Sequence, residues 1–330
     1  MSKVLISDYE SRFMPDHGPE IQTLRDGLGK DVQIQILPYT DDTRDEFYQA
    51  LSDADALLTA FIPMDEDAFE HAPKLKIIAL DMTGYDTVDL DAATRHHVGV
   101  APVGEYCTWD VSESAIGMMF ALNKYFKYYQ RKIDVDHEWD PHTVPVLPRI
   151  QDQTLGICGF GKIGKCTARK ARGLVRNILA CDPLARESTA DEWGVRIVGF
   201  DELCEKSDII VNHMNLNSTN RGLFDAVAFA HMKRRPILIN MGRGLSVVEP
   251  DLVDALDSGQ VRAYGCDVLN DETPDLANCP LAGRDNVIIT PHSSFLSQKS
   301  LHDLETIPAQ NIVRFLTGHK DKVFKLVNHV

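Results

Sequence analysis

Three glycines and one aspartate in the middle of the chain have the types and spacing that bind a dinucleotide. The pattern Gly159-x-Gly161-x-x-Gly164 follows an apolar run and opens a helix-like segment, and Asp182 ends the next apolar run. Gly159 would permit a tight turn, Gly161 would let the backbone approach a pyrophosphate, and Gly164 would let the helix pack on the strand. The helix N-terminus attracts phosphates, and the carboxylate of Asp182 can accept hydrogen bonds from a ribose diol.

Three further polar residues follow strand-like runs in the second half of the chain: Arg243, Glu272 and His292. Ligands of open parallel sheets bind at the carboxyl ends of strands. There His292 could donate a proton to a carbonyl oxygen during hydride transfer. Glu272 could hold the imidazole protonated, and Arg243 could bind a substrate carboxylate through two N–H groups. Each residue alone could be structural, but together they suit one reaction.

The elements that must position these residues alternate between strands and helices, which predicts an α/β fold with parallel sheets. The first hundred residues form a domain of their own without a glycine motif, and the alternation resumes after Gln153. The predicted strands are Val4–Ser7, Val32–Leu37, Ala56–Phe61, Leu75–Leu80, Val98–Val103, Gly156–Cys158, Ile178–Cys181, Arg196–Val198, Ile209–His213, Ile237–Asn240, Ala263–Val268 and Val287–Thr290.

Three other segments complete the predicted organisation. Val111–Tyr129 is predicted to be one long helix that is apolar almost all round, and hence buried in a core or a subunit interface. Asp134–Ile150, with three prolines and Trp139, is predicted to be a surface loop or arm. Lys299–Phe315 is predicted to be a last amphipathic helix.

Composition limits the partners and the compartment. The 330 residues carry a net charge of -15, which argues against nucleic acid or an anionic membrane surface as a partner. Seven scattered cysteines without a C-x-x-C pair suit a reducing compartment. No signal peptide or membrane span is evident, and no metal site is predicted. These features predict a cytoplasmic protein.

Several further motifs occur in order along nearly the whole chain. They are Pro73–Leu80, Gly84–Asp89, Glu105–Glu113, Ile239–Gly244 with Val247–Leu256, Asp267–Pro274, Thr290–His292 and Asn311–Gly318. Together these motifs resemble those of the D-isomer-specific 2-hydroxyacid dehydrogenases. Phe295 and the Trp139 arm are more similar to the branch that contains the C-terminal-binding-protein corepressors and their bacterial relatives.

The resemblance implies two doubly wound parallel-sheet domains. Residues 1–103 plus 299–330 would form a flavodoxin-like substrate domain, and residues 104–298 a Rossmann NAD-binding domain. Family members are usually homodimers built partly on the helix that corresponds to Val111–Tyr129.

The resemblance also assigns residues. The catalytic residues would be Arg243, Glu272 and His292, and the substrate would also contact Thr83, Gly84 and Tyr106. Asp267 would meet the nicotinamide carboxamide, although it could instead be a strand-end cap. The cofactor contacts would be Gly159, Gly161, Lys162, Ile163, Gly164, Asp182, Met214, Asn215, Met241, Arg243 and Asp267.

Cofactor and substrate preference depend on a few positions. Asp182 favours NAD because a carboxylate repels a 2′-phosphate, although Arg186 lies close enough to suggest NADP. The carboxylate-binding loop, usually Gly-x-Gly, has Met82 as its first residue and Asp81 before it, which would change what the pocket accepts. Trp109 also differs from the commonest pattern.

The sequence therefore predicts an NAD-dependent reductase of small 2-keto acids of the glyoxylate, hydroxypyruvate or pyruvate type. A phosphoglycerate dehydrogenase is the alternative enzyme, although many of these carry a C-terminal regulatory domain that these 330 residues lack. Glu272 disfavours a formate dehydrogenase, and Thr83 a phosphite dehydrogenase. A non-enzymatic, NAD-sensing corepressor-like protein is disfavoured by the intact catalytic trio.

Overall fold

The computed structural model describes residues 2–10, 16–185, 194–271 and 273–330; Arg186 and Glu272 lie outside the described residues. Contacts divide the chain into two compact units. The first consists of Met1–Tyr106 and Ser297–Val330, and the second of Cys107–Leu296. The C-terminal segment thus belongs to the same unit as the N-terminus, and the role of that unit in substrate binding stays a prediction.

Within the described residues, the first unit contains a five-stranded parallel sheet with the order β2-β1-β3-β4-β5. Its strands are β1 (Lys3–Tyr9), β2 (Gln33–Tyr39), β3 (Ala56–Thr59), β4 (Ile77–Leu80) and β5 (Gly99–Pro102). Its helices before the second unit are α1 (Gly18–Leu28), α2 (Arg44–Leu51), α3 (Glu66–Glu70) and α4 (Leu90–Arg95).

The second unit contains, in its described part, a seven-stranded parallel sheet with the order β12-β11-β10-β9-β6-β7-β8. Its strands are β6 (Thr154–Cys158), β7 (Asn177–Cys181), β8 (Val195–Ile197), β9 (Ile209–Asn212), β10 (Ile237–Asn240), β11 (Ala263–Cys266) and β12 (Val287–Ile289). Its helices are α5 (Thr108–Asn123), α6 (Phe126–Arg131), α7 (Lys162–Ala171), α8 (Phe200–Lys206), α9 (Ala226–His231) and α10 (Glu249–Asp257). The chain then returns to the first unit as α11 (Gln298–Leu316).

Burial on both faces of the sheet explains why the central strands can be predicted from the sequence. In the first unit, Leu5 and Leu57 pack into one core, whereas Val4 and Ala56 pack into a second core on the other face of the sheet. Parallel strands buried on both faces appear as continuous apolar runs. The predicted α/β fold with two parallel-sheet domains is confirmed.

The prediction of one continuous helix over Val111–Tyr129 is wrong. The structure ends α5 at Asn123 and starts α6 at Phe126, because Tyr125 adopts a left-handed conformation with φ of 56°. The buried side chain of Asn123 accepts a hydrogen bond from Gln153 Nε2 at 2.9 Å. This tertiary contact holds the end of α5, and Phe126 beyond it is 61% exposed rather than buried.

Helix length and hydropathy bear on membrane insertion. None of the helices in the described part of the chain is both long enough and apolar enough to cross a membrane.

Candidate active site

The turn between β6 and α7 has the glycine geometry expected of a pyrophosphate site. Gly159 has φ of 86°, and a Cβ atom there would lie 2.8 Å from Met214 N. A Cβ atom on Gly164 would overlap the carbonyl oxygen of Gly159, whereas one on Gly161 would meet nothing within 4 Å. The open space over Gly161 lies at the N-terminus of α7, which Lys162 and Ile163 begin. These residues therefore fit a dinucleotide.

Asp182, directly after β7, is fixed against this turn. Its Oδ2 accepts a hydrogen bond from Phe160 N at 2.7 Å, and its Oδ1 accepts one from Leu184 N at 2.8 Å. A carboxylate has about four acceptor sites, so each oxygen keeps one for a further donor. The half-buried carboxylate can thus receive two hydroxyl groups in a defined orientation.

A buried polar network holds the loop that carries Arg243. Asn212 Nδ2, at the end of β9, donates to Asn240 Oδ1 at 2.9 Å and to Ser246 Oγ at 2.8 Å. Asn240 Nδ2 and Ser246 Oγ both donate to the carbonyl oxygen of Arg243, at 3.0 and 2.7 Å. Because at most 1% of each of these three residues is exposed, the network fixes the backbone from which the guanidinium projects.

The residues on either side of this loop pack against other predicted contacts. A Cβ atom on Gly242 would lie 2.5 Å from the carbonyl oxygen of Met214. Met241 is buried and its N–H donates to Asn212 O at 2.9 Å, while Asn215 is exposed and accepts from Asn220 Nδ2 at 2.6 Å. The structure thus brings Met214 close to both Gly159 and Gly242, at the carboxyl ends of β6, β9 and β10.

Asp267, directly after β11, holds the loop that carries His292. Its Oδ1 accepts from Thr290 Oγ1 at 2.5 Å and from Ser293 N at 2.9 Å, and its Oδ2 accepts from Ser294 N at 2.9 Å. The N–H of His292 donates to the carbonyl oxygen of Asp267 at 2.8 Å. These hydrogen bonds show that Asp267 acts as a cap at the end of β11. One acceptor site on its Oδ2 remains for a carboxamide.

Burial distinguishes two histidines that both follow strands of this sheet. Burial lowers the pKa of His213 to about 3, and its Nε2 lies 2.8 Å from Thr167 Oγ1. His213 is therefore neutral at physiological pH and cannot serve as a protonated acid. His292, half-buried with φ of 50°, occupies the end of β12, two strands from the Arg243 loop at the end of β10.

Two further parts of the predicted site are Glu272 and the loop of the first unit that contains Thr83 and Gly84. Glu272 lies outside the described residues; beside it, Asn270 N donates to Glu249 Oε1 at 3.1 Å and Thr273 N donates to Asp271 Oδ1 at 2.9 Å. In the first unit, Thr83 is exposed after β4, with its hydroxyl donating to Gly104 O at 3.0 Å. Gly84 and Tyr106 are half-buried there.

Three residues of the buried network were not predicted as site residues: Asn212, Asn240 and Ser246. A signal was present, because two predicted strands contain or end on asparagine, a residue that is rare in fully buried strands. In the structure these asparagines occupy paired positions on adjacent strands.

Comparison with known proteins identifies the family. Residues 116–294 match the family described as D-isomer specific 2-hydroxyacid dehydrogenase, NAD binding domain. The chain is 32% identical to the hydroxypyruvate reductase of Blautia hydrogenotrophica, over 89% of this chain and 91% of that relative. It is 30% identical to the D-3-phosphoglycerate dehydrogenase of Methanocaldococcus jannaschii, over 96% of this chain but 58% of that relative.

A solved structure supports the same assignment. The D-lactate dehydrogenase from Aquifex aeolicus, complexed with NAD and lactic acid, matches with a TM-score of 0.86 and 25% identity, over 99% of both chains. The chain belongs to the D-isomer specific 2-hydroxyacid dehydrogenases and is an NAD-dependent oxidoreductase that acts on CH–OH groups.

Proposed function

We propose that the chain reduces small 2-keto acids of the glyoxylate, hydroxypyruvate or pyruvate type to D-2-hydroxy acids. The observation that carries the proposal is that hydrogen bonds fix the loops of Arg243 and His292 at the carboxyl ends of β10 and β12. Preorganised groups of this kind lower the barrier because they need no rearrangement during reaction. The names of the hydroxypyruvate reductase and D-lactate dehydrogenase relatives support this substrate class.

Each residue has a role in the proposed reaction. NADH, when bound, would supply the hydride that C2 of the keto acid accepts, and would be oxidised to NAD⁺. His292 donates the proton to the carbonyl oxygen, and Glu272 stabilises the protonated imidazole. Arg243 binds the substrate carboxylate with its guanidinium. In the first unit, Thr83 and Gly84, through their backbone amides, and Tyr106 would also contact the substrate.

The proposed cofactor contacts come from residues of the same sheet and the loops that follow its strands. Gly159, Gly161, Lys162, Ile163 and Gly164 would hold the pyrophosphate at the N-terminus of α7. Asp182 would bind the adenosine ribose. Met214, Asn215, Met241 and Arg243 would line the cofactor along β9 and β10, and Asp267 would accept a hydrogen bond from the nicotinamide carboxamide.

The homodimer and the cytoplasmic location are parts of the same proposal. The segment that follows α6 exposes large apolar side chains, including Trp139 at 89% and Val146 at 99%. These exposed apolar side chains, together with the homodimers usual among family members, support the proposed dimer. Sedimentation equilibrium would measure the dimer. All seven cysteines are free thiols, which suits a reducing compartment.

The test is NADH oxidation against a panel of 2-keto acids, repeated with the variant His292→Ala. Because the variant loses the proton donor but no cofactor contact, we expect kcat to fall about 10²–10⁴-fold while the Kd for NADH stays within about twofold. The control His231→Ala removes a half-exposed imidazole at the end of α9 and should retain activity. Undiminished kcat in His292→Ala would refute the assigned role, and turnover confined to 3-phosphohydroxypyruvate would favour the phosphoglycerate dehydrogenase alternative.

A further inference from the structure

Residues 323–328, which we call the edge segment, lie along β5 in the first unit. β5 is the last strand of the five-stranded sheet in the described part of the chain, and such a strand presents unpaired backbone groups. The N–H of Val327 donates to Val100 O at 3.0 Å. The side chain of Asn328 accepts from Val100 N at 2.9 Å and donates to Val98 O at 2.9 Å. These hydrogen bonds fix the edge segment to the sheet.

Phe324, in the same segment, contacts the turn that follows β5. A Cβ atom on Gly104 would lie 2.1 Å from Phe324 Cε1, so the edge of the ring packs directly on the Gly104 backbone. Gly104 has φ of 80°, a conformation that favours glycine. The N–H of Phe324 donates at 2.9 Å to Oδ1 of Asn311, a completely buried residue on α11. Phe324 is thus held by α11 and in turn restricts the movement of Gly104.

This turn is joined to the loop after β4, residues 82–85, which we call the substrate loop. Thr83 Oγ1 donates to Gly104 O at 3.0 Å. The N–H of Val103 donates to Met82 O at 3.2 Å. The backbone of residues 103 and 104 therefore contacts the edge segment and is also hydrogen-bonded to the substrate loop.

Lys325 gives the edge segment a second contact with the substrate loop. Its Nζ lies 5.6 Å from the centroid of the Tyr85 ring, and Tyr85 directly follows Gly84. Phe324 is 46% exposed and Lys325 is also exposed, so neither side chain is part of the hydrophobic core. Substitutions at exposed positions usually change stability little, which allows a role in binding to be tested separately from folding.

We propose that the edge segment is a positioning element for substrate binding, in which Phe324, and to a smaller extent Lys325, holds the substrate loop in the conformation that receives the keto acid. This inference rests on the proposed function, since it requires the backbone amides of Thr83 and Gly84 to contact the substrate. A loop that is already ordered loses less conformational freedom on binding, so these contacts increase affinity without touching the substrate. Phe324 is then a positioning residue and not a catalytic one.

The experiment compares Phe324→Ala with wild type in the NADH-dependent reduction of the best 2-keto acid of the panel. A less ordered loop weakens the binding of substrate and transition state alike, so KM rises while kcat is kept. We expect KM for the keto acid to rise at least about fivefold and kcat to change less than about threefold. The Kd for NADH should stay within about twofold, because every proposed cofactor contact lies in the second unit.

A double-mutant cycle tests the route from Phe324 to the substrate loop. Thr83→Val removes the hydroxyl that donates to Gly104 O but keeps the backbone amide. If the ring acts through this hydrogen bond, the rise in KM caused by Phe324→Ala should be at most about half as large in the Thr83→Val background. Effects of the two substitutions that multiply in full would overturn the inference.

Conservative and matched variants separate positioning from general damage to the fold. Phe324→Tyr keeps the ring edge and should keep KM within about twofold of wild type. Lys325→Ala should raise KM about two- to fivefold, as expected for an exposed cation–π contact. The matched control is Lys320→Ala, which removes a cation–π contact with Phe315 at 4.6 Å and should keep the wild-type KM.

A wild-type KM in Phe324→Ala would overturn the inference. If that variant does not fold, the exposed Lys325 decides, and an unchanged KM in Lys325→Ala would have the same meaning. Failure of the proposed function looks different, because then the wild-type chain itself reduces no keto acid.

Discussion

The carboxylate of Asp182 serves the glycine turn and the proposed ribose site at once, which makes its substitution informative. In Asp182→Ala the turn loses its hydrogen bond from Phe160 N, and a ribose diol loses its acceptor. We expect the ratio of kcat/KM for NADH over NADPH to fall about 10–100-fold, since hydrogen bonds to charged groups contribute about 1.5–3 kcal/mol. Steady-state kinetics with both cofactors would measure it. Asp201→Ala, an exposed carboxylate on α8, is the control, and an unchanged ratio in Asp182→Ala would show that the ribose binds elsewhere.

The residue types and their order in the sequence predicted where the charged groups lie, but not the hydrogen bonds that hold their loops in place. Arg243 and His292 could be placed after strands because the apolar runs before them are unambiguous. The supporting asparagines, Asn212 and Asn240, could not be assigned, because their hydrogen bonds join residues 28 apart in the sequence. Asp267 shows the same limit, since only the structure reveals that its oxygens are occupied by the His292 loop.

At the scale of elements, apolar periodicity predicted nearly every strand but misjudged one helix. The pattern over Val111–Tyr129 contains no proline, and its one glycine, Gly117, lies inside α5 and not at the break, so nothing local predicts a break at Tyr125. The break at Tyr125 accompanies long-range contacts of Asn123, whose Oδ1 accepts from Gln153 Nε2 at 2.9 Å and from Arg262 Nη2 at 3.4 Å. Both partners come from distant segments of the same unit, and a pattern within one helix contains no information about them.

The junction of β6 and α7 provides a prediction with an internal control. In Gly164→Ala the added methyl group overlaps Gly159 O, so the helix must move away from the strand. We expect this variant to lose about 1–3 kcal/mol of unfolding free energy, as overpacked cores do. In Gly161→Ala the methyl group meets nothing within 4 Å, so stability should be preserved while NADH binding weakens.

Urea unfolding and fluorescence titration with NADH would separate the two effects. The expected result is a stability change confined to Gly164→Ala, together with an increase of at least about tenfold in the Kd for NADH in Gly161→Ala. Normal NADH affinity in a well-folded Gly161→Ala protein would contradict the assignment of the pyrophosphate to this turn.

At the scale of the whole molecule, two kinds of buried group act on stability in opposite directions. Burial lowers the pKa of His213 to about 3, so between that value and 6.5 the unfolded chain binds more protons and acidification destabilises the fold. The raised pKa of Asp81 has the opposite effect: the folded chain binds more protons, and its stability falls as the pH rises above 3.8 and through the raised value. The net charge of -15 adds repulsion at high pH.

Asp81→Asn tests the alkaline side of this balance. The amide is close in shape to the carboxyl group but cannot ionise, so the variant no longer pays for a buried negative charge. We expect its melting temperature to exceed that of wild type at pH 7–8, and the difference to shrink as the pH falls towards and below 3.8, where Asp81 becomes protonated in the unfolded chain as well. Differential scanning calorimetry across this pH range would measure both curves. Asp91→Asn changes the net charge equally at an exposed position and should follow the wild-type curve. If its melting temperature rose as much as that of Asp81→Asn, long-range repulsion rather than the burial of Asp81 would be the cause.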